Sequence, residues 1–216
     1  MSQPPGIRRR YNDLAGTNID RLAGISDGIF SVGMTLLVLG LVVPAVSTVR
    51  TDSDLWHELL NLGPSVLIYT LSFMTLGIFW VGQGGQLGRL ARSNRNYAWL
   101  QLAFLFAVTL VPFSTALLAH FPTLRVALLE YWLNIVLLGG TLGAAAEYAL
   151  HARLFQEAEI PELARLFRGR ILIAQSLYAF ATALCLIFPT WVSITLIVLV
   201  QLNYVLAPRI PILHRF

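Results

Sequence analysis

Three polar side chains stand at the head of a long apolar run in the stretch RLAGISDGIFSVGMTLLVLG: Arg21, Ser26 and Asp27. A carboxylate at membrane depth costs on the order of 3 kcal/mol on insertion scales, so a chain that keeps one there has a use for it. Two roles suit Asp27. It is either a polar staple that ties its helix to its neighbours through Arg21 or a nearby hydroxyl, or a cation contact. Catalysis finds no matching constellation, because the acidic residues are scattered, the 4 histidines form no cluster, and neither a P-loop nor a GxSxG stretch is present. Cys185 is the sole cysteine, which excludes an intrachain disulfide and a cysteine-based metal site. The chain is therefore expected not to be an enzyme and to need no bound cofactor.

The elements that must carry these residues follow from composition. With 56% hydrophobic residues, 12% charged residues and a mean hydropathy of +0.70, the chain has too little polar surface to coat a water-soluble globule. A spanning helix needs roughly 20 apolar residues, and six such stretches are expected, at about 22–46, 56–83, 97–119, 126–150, 171–188 and 191–207. The fold class is thus an all-α integral membrane protein. One transmembrane domain, 18–208, is flanked by tails at 1–17 and 209–216, with a connector of about 151–170 between the fourth and fifth spans. The triplet Arg8-Arg9-Arg10 ahead of an apolar run superficially fits a signal peptide, but this run is longer than the 7–15 residues typical of one, contains an aspartate and is followed by five further spans.

Orientation follows from arginine, because basic residues beside membrane spans stay on the cytoplasmic side. All fifteen basic residues are arginine. Thirteen of them (Arg8, Arg9, Arg10, Arg21, Arg89, Arg92, Arg95, Arg153, Arg165, Arg168, Arg170, Arg209, Arg215) fall on one side of the expected topology, against Arg50 and Arg125 on the other. Both termini are expected to be cytoplasmic. Anionic inner-leaflet lipids account for the net charge of +4 without a nucleic-acid partner.

The first span has a definite helical geometry. At about 100° per residue, Ile25, Gly28, Thr35, Leu36 and Leu39 fall within about 60° of Val32 and make one stripe along its length. Small residues flank it, Gly24 and Ser31 on one side and Ser26, Gly33 and Gly40 on the other, which allows helices to approach closely in a membrane. Asp27 points about 140° from the stripe, towards other helices of the same subunit. Such a stripe suits either the core of a bundle or, if copies of the helix converge on an axis, the lining of a pore.

Arg21, Ser26, Asp27 and Gly28 match four of the five fixed positions of the signature R-x-x-x-F-S-D-G/A. The chain resembles the transmembrane protein 175 family of potassium channels. YTLSFMTLGIFWVG, residues 69–82, resembles that family's second helix, and WLQLAFLFAVTLVPFSTALL, residues 99–118, its third, so the likeness covers about the first 120 residues. It implies a single-repeat prokaryotic channel in the bacterial inner membrane, assembled as a homotetramer with the first helix of each subunit lining a central pore. Permeant K+ and membrane lipids are then its partners besides itself. The resemblance also gives the stripe a role: Val32 stands where the family places its narrowest constriction, Thr35 matches a threonine beside the pore, and Leu36 and Leu39 match further pore-lining positions. No TVGYG-like carbonyl filter is present, so selection would rest on a hydrophobic constriction.

Two departures stand out. Ile25 replaces the signature phenylalanine, and Gln83 lies in a stretch where bacterial members typically carry histidine. Gln83 can hydrogen-bond Ser26 or Asp27 but takes no charge near neutral pH. Arg21, Ser26, Asp27 and Gln83, with Trp99 as a further member, are expected to form the polar network that anchors the first helix. Elsewhere, Glu130 and Glu147 are expected to be interfacial or paired, with His151 in reach of Glu147, and Asn134 and Gln175 to act as interhelical glue. Residues 157–170 are expected to form a solvated amphipathic connector, and Trp56, Trp132 and Trp191 an interfacial belt. A secondary transporter and a non-conducting membrane scaffold are the competing classes.

Overall fold

The computed structural model describes residues 18–47, 49–156 and 160–206, without the side chains of 160–165 and 206. The tails at 1–17 and 209–216, with Arg8, Arg9, Arg10, Arg209 and Arg215, and the side chain of Arg165 lie outside the described residues.

Helix α1 runs over Ile19–Leu36 and tightens into a 3₁₀ turn at Leu37–Gly40. Its start is set by Asn18, whose side-chain oxygen accepts the Arg21 backbone N–H at 2.9 Å. The helix was expected to reach residue 46 but ends at Gly40, and the next residues are extended or turning. Gly40, the β-branched Val42 and Val43, and Pro44, which biases the residue before it away from helix, account for the early stop.

The second expected span is divided in two. Thr51 and Asp54 form a reciprocal capping box that opens a short helix, α2, at Asp52–Asn61, and after Leu62 the long helix α3 covers Gly63–Leu87. Pro64 sits in the first turn of α3, where its missing N–H costs nothing. Trp56 therefore lies exposed on α2, outside the long helix. Helix α4 covers Arg95–His120 and α5 covers Arg125–His151. Pro112 lies inside α4 without ending it, as membrane helices tolerate. Helix α6 covers Ile160–Ala183 and closes in a 3₁₀ turn at Leu184–Leu186, so much of the expected connector is helical from Ile160 onward. Helix α7 covers Thr190–Leu206.

Five of these helices are long and apolar enough to cross a membrane, and α7 is a shorter apolar helix. Helix α5 packs on α4 and α6, α7 packs on α3 and α6, and α1 lies against α3 and α4. Among the described residues, three apolar clusters fill the bundle. Phe30, Leu76, Phe104, Val108 and Leu142 form the one that receives α1. Ile68, Leu118, Leu128, Tyr131 and Ile194 form a second, and Leu90, Tyr97, Leu154 and Phe155 a third. Beside the third, the links 88–94 and 152–156 meet in an antiparallel bridge between Leu90 and Phe155. Arg153 turns that corner with φ of 51°, the left-handed conformation that ends α5 and lets Leu154 N–H donate to Ala149 O at 2.9 Å.

Candidate functional site: the two faces of the first helix

Helix α1 is divided lengthwise. Ser26, Phe30, Gly33 and Leu37 are buried against the bundle. Phe30 meets the Phe104 ring at 6.0 Å between centroids, and Phe104 meets Phe79 at 6.2 Å, so one aromatic cluster joins α1, α3 and α4. A Cβ added at Gly33 would lie 3.7 Å from Leu76, which shows how closely α1 approaches α3. On the opposite face Ile25 is 46% exposed, Val32 56%, Leu36 44% and Leu39 73%, with Gly28 and Thr35 exposed beside them. The angular stripe read from the sequence is thus the face that the described residues leave exposed. Thr35 lies on it with its hydroxyl donating to Val32 O at 2.8 Å, which satisfies the group within its own helix.

The anchoring contacts are polar and cross three helices. Ser26 Oγ donates to Gln83 Oε1 on α3. Gln83 Nε2 donates to Gln101 Oε1 on α4 at 2.8 Å, and Gln101 Nε2 donates to the Tyr97 hydroxyl at 2.7 Å. All four residues are buried, so each hydrogen bond compensates for water lost on insertion. Asp27 sits at the rim of this arrangement and accepts the Trp80 indole N–H at 2.8 Å. A cleft of 460 Å³ between α1 and α3 is lined by Asp20, Ala23, Ser26, Asp27, Trp80 and Gln83 among others.

The structure brings Ser26 to Gln83, and Asp27 within the same cleft, but it does not join Arg21 or Trp99 to them. Arg21 is exposed, and its hydrogen bond to Asn18 is made by its backbone. Trp99 is 61% exposed on α4. Both were expected in the network. Helical phase explains the difference: Tyr97 and Gln101, four residues apart, share the face of α4 that meets Gln83, whereas Trp99 lies two residues from each and points away. The network residues not expected are Trp80, Tyr97 and Gln101. Their signal was present, since Trp80 precedes Gln83 by one helical turn and its N–H needs an acceptor in an apolar setting.

Further polar groups pair across the bundle. Asn134 Nδ2 donates to Ser114 Oγ at 2.7 Å, and Ser114 donates to Glu130 Oε1 at 3.2 Å. Gln175 Nε2 donates to Ile135 O at 3.1 Å, so Asn134 and Gln175 both link helices. Glu147 meets Arg168, with Arg168 Nε donating at 2.8 Å, and lies 3.2 Å from His151 Nδ1. A second buried network links Ser72 and Thr75 of α3, Thr115 of α4, Tyr131 of α5 and Gln201 of α7. In it Thr115 donates to Ser72 at 2.7 Å, and Gln201 Nε2 donates to Thr75 at 2.6 Å. Among the described residues no group of three His, Cys, Asp or Glu side chains is placed to hold a metal ion.

Residues 21–112, which carry α1, its anchor and most of α4, match the family described as the endosomal/lysosomal potassium channel TMEM175. A potassium channel of Chamaesiphon minutus is 33% identical over 182 residues, covering 81% of this chain and 87% of that protein. A potassium channel of Streptomyces collinus is 37% identical over 101 residues, 47% of this chain and 48% of that protein. The crystal structure of a lysosomal potassium-selective channel TMEM175 homolog from Chamaesiphon minutus superposes with a TM-score of 0.75 at 28% identity, over 89% of this chain and 98% of that one. The chain belongs to the TMEM175 family of potassium channels.

Proposed function

We propose that this chain is a potassium-permeable channel in which the exposed face of α1 lines the conduction path, with Val32, Thr35, Leu36 and Leu39 at its constriction. The observation that carries this is the division of α1: an apolar face left uncovered by its own subunit lies opposite a face fixed by buried hydrogen bonds and aromatic packing. The anchor fixes the buried face of α1 on its neighbours and so sets which face is left to line a path. Around an axis of symmetry, Val32 and Leu36 of each copy would stand one turn apart and form successive apolar rings. Narrow apolar rings close by dewetting and, when open, pass ions according to how readily they shed water. Thr35 adds hydroxyl dipoles between the rings.

In this reading the assembly is a homotetramer of six-span subunits in the bacterial inner membrane. Helix α7 is the sixth span, both termini are cytoplasmic, and 18–208 is the channel domain between tails at 1–17 and 209–216. Arg21 and Asp27 lie at the cytoplasmic mouth, with Asp27 held by Trp80. The placement of thirteen arginines on one side supports the orientation.

Thiol accessibility tests the assignment, because the native Cys185 is buried and gives little background. Val32→Cys and Leu36→Cys channels reconstituted in liposomes should lose most of their potassium flux on exposure to a water-soluble cationic thiol reagent. A cysteine on the bilayer side, such as Phe180→Cys, should not respond. Unchanged flux in Val32→Cys and Leu36→Cys after full labelling would remove α1 from the conduction path.

A further inference from the structure

Three side chains meet between α4 and α5: Ser114 of α4, and Glu130 and Asn134, one helical turn apart on α5. Asn134 Nδ2 donates to Ser114 Oγ at 2.7 Å, and the Ser114 hydroxyl reaches both Leu110 O and Glu130 Oε1 at 3.2 Å. Ser114 is fully buried and Asn134 is 6% exposed. Two oxygens of this cluster, Glu130 Oε2 and Asn134 Oδ1, are themselves buried and accept no hydrogen bond among the described residues. The single hydroxyl hydrogen beside them is already divided between two other acceptors.

Among the described residues no cation balances the carboxylate. Helices α3 and α7 and residues 171–186 of α6 carry no charged side chain. At this end of the bundle α5 carries Arg125, which is exposed, and α4 carries His120, whose Nδ1 meets Ala116 O at 2.8 Å. Neither forms an ion pair with Glu130 among the described residues. Asp52, Asp54, His57 and Glu58 belong to α2, which packs on α3, and Asp20 and Asp27 of α1 line the cleft beside Gln83.

We propose that Glu130 is a proton-binding site: it holds a proton on Oε2 at neutral pH and donates it to Asn134 Oδ1, so that both side chains grip Ser114 of α4 without a net charge. An ionised carboxylate offers about four lone-pair sites. Here it would receive one shared hydrogen bond at 3.2 Å, in a span where an unbalanced charge is costly. The Asn134 oxygen, left without a donor, adds a second desolvation cost. One hydrogen removes both. It cancels the charge and turns Oε2 into a donor, and Asn134, four residues on and held against the same hydroxyl, presents the acceptor. The N-terminus of α5 does not substitute for it, because the field of its free N–H groups fades within the first turn and Glu130 lies past that turn. Loss of the proton would set two bare acceptors beside each other, so the proton acts as the latch between α5 and α4.

Infrared spectroscopy of the purified full chain in liposomes at neutral pH tests this without any reference to ion flux. The wild type should show the C=O stretch of a protonated carboxylic acid, displaced in heavy water, and Glu130→Gln should lose it. Asn134→Leu removes the acceptor and should move the band to the higher frequency of an acid with a weaker hydrogen bond. Glu147→Gln should leave the band in place, because Glu147 is paired with Arg168. Uniform ¹³C labelling of glutamate in the wild type gives the same reading without a substitution, as an isotope shift of the acid band. The proposal is overturned if that band is absent, if it survives in Glu130→Gln or ignores the label, or if Glu130→Gln instead removes carboxylate stretches. Carboxylate stretches that answer to exchange of sodium for potassium would assign the site to an alkali ion and overturn it equally.

Discussion

Gln83 serves two helices at once, accepting from Ser26 of α1 and donating to Gln101 of α4. Replacing it by leucine keeps the volume but leaves the Ser26 hydroxyl and the Gln101 carbonyl buried without partners. Each such orphan costs about 1–3 kcal/mol. Gln83→Leu should therefore lower the thermal unfolding midpoint in detergent measurably, and Ser26→Ala/Gln83→Leu should recover part of the loss by removing one orphan. A double variant no more stable than Gln83→Leu would show that the Ser26 bond contributes little to anchoring α1. At this scale the sequence was partly legible. Ser26 and Asp27 stood out because polar groups in an apolar run are conspicuous, and Gln83 followed from its place near the end of α3. Trp80, Tyr97 and Gln101 were less visible, because a glutamine or tyrosine in a membrane helix announces a need for a partner without naming it. Arg21 and Trp99 show the converse: chemistry suited them to the network, but their direction on the helix did not.

At the scale of elements, packing and capping decide where helices stop and how closely they approach. Gly139 must be glycine for Gln175 to lie across α5. Gly139→Ala should push the flexible Gln175 side chain aside and cost about 1 kcal/mol, the net worth of its hydrogen bond to Ile135 O, read as a lower unfolding midpoint. Gly33→Ala, whose Cβ meets Leu76 at ordinary contact distance, should cost far less. The short helix α2 depends on its capping box. The Thr51 hydroxyl, then the backbone N–H groups of Arg50 and Thr51, hold the Asp54 carboxyl below its ordinary value of 3.8. A depressed carboxylate stabilises the folded form at all pH values above 3.8 and loses that contribution as pH falls through its lowered value. The Cα chemical shifts of residues 52–61 should accordingly stay helical from neutral pH to about pH 4 and relax towards coil below it. Asp54→Asn should show no transition in that window. This division of α2 from α3 was the main feature hidden in the sequence. The run 56–83 is apolar enough to pass as one span, and only the Thr51–Asp54 box and Pro64 mark the break.

For the whole molecule, an all-helical chain of several long apolar helices was legible because hydrophobic length is a strong signal, whereas among the described residues five helices rather than the six expected are long enough to span, and ends were misplaced wherever a polar or irregular segment adjoined a span. Helix α6 begins at Ile160, well before the hydrophobic stretch, because helix propensity does not stop at the membrane boundary. The stripe of α1 is the feature whose proposed role depends on other copies of the chain: its apolar side chains stay substantially exposed among the described residues. Its role as a constriction makes the central claim. The most direct measurement is ion flux into liposomes containing the purified chain, under potassium and sodium gradients in turn, for wild type and Val32→Ala. The account predicts potassium flux exceeding sodium flux in the wild type, with Val32→Ala raising total flux and narrowing the difference between the two ions. Equal and unaltered fluxes in folded wild-type and Val32→Ala protein, or no flux in either, would contradict it.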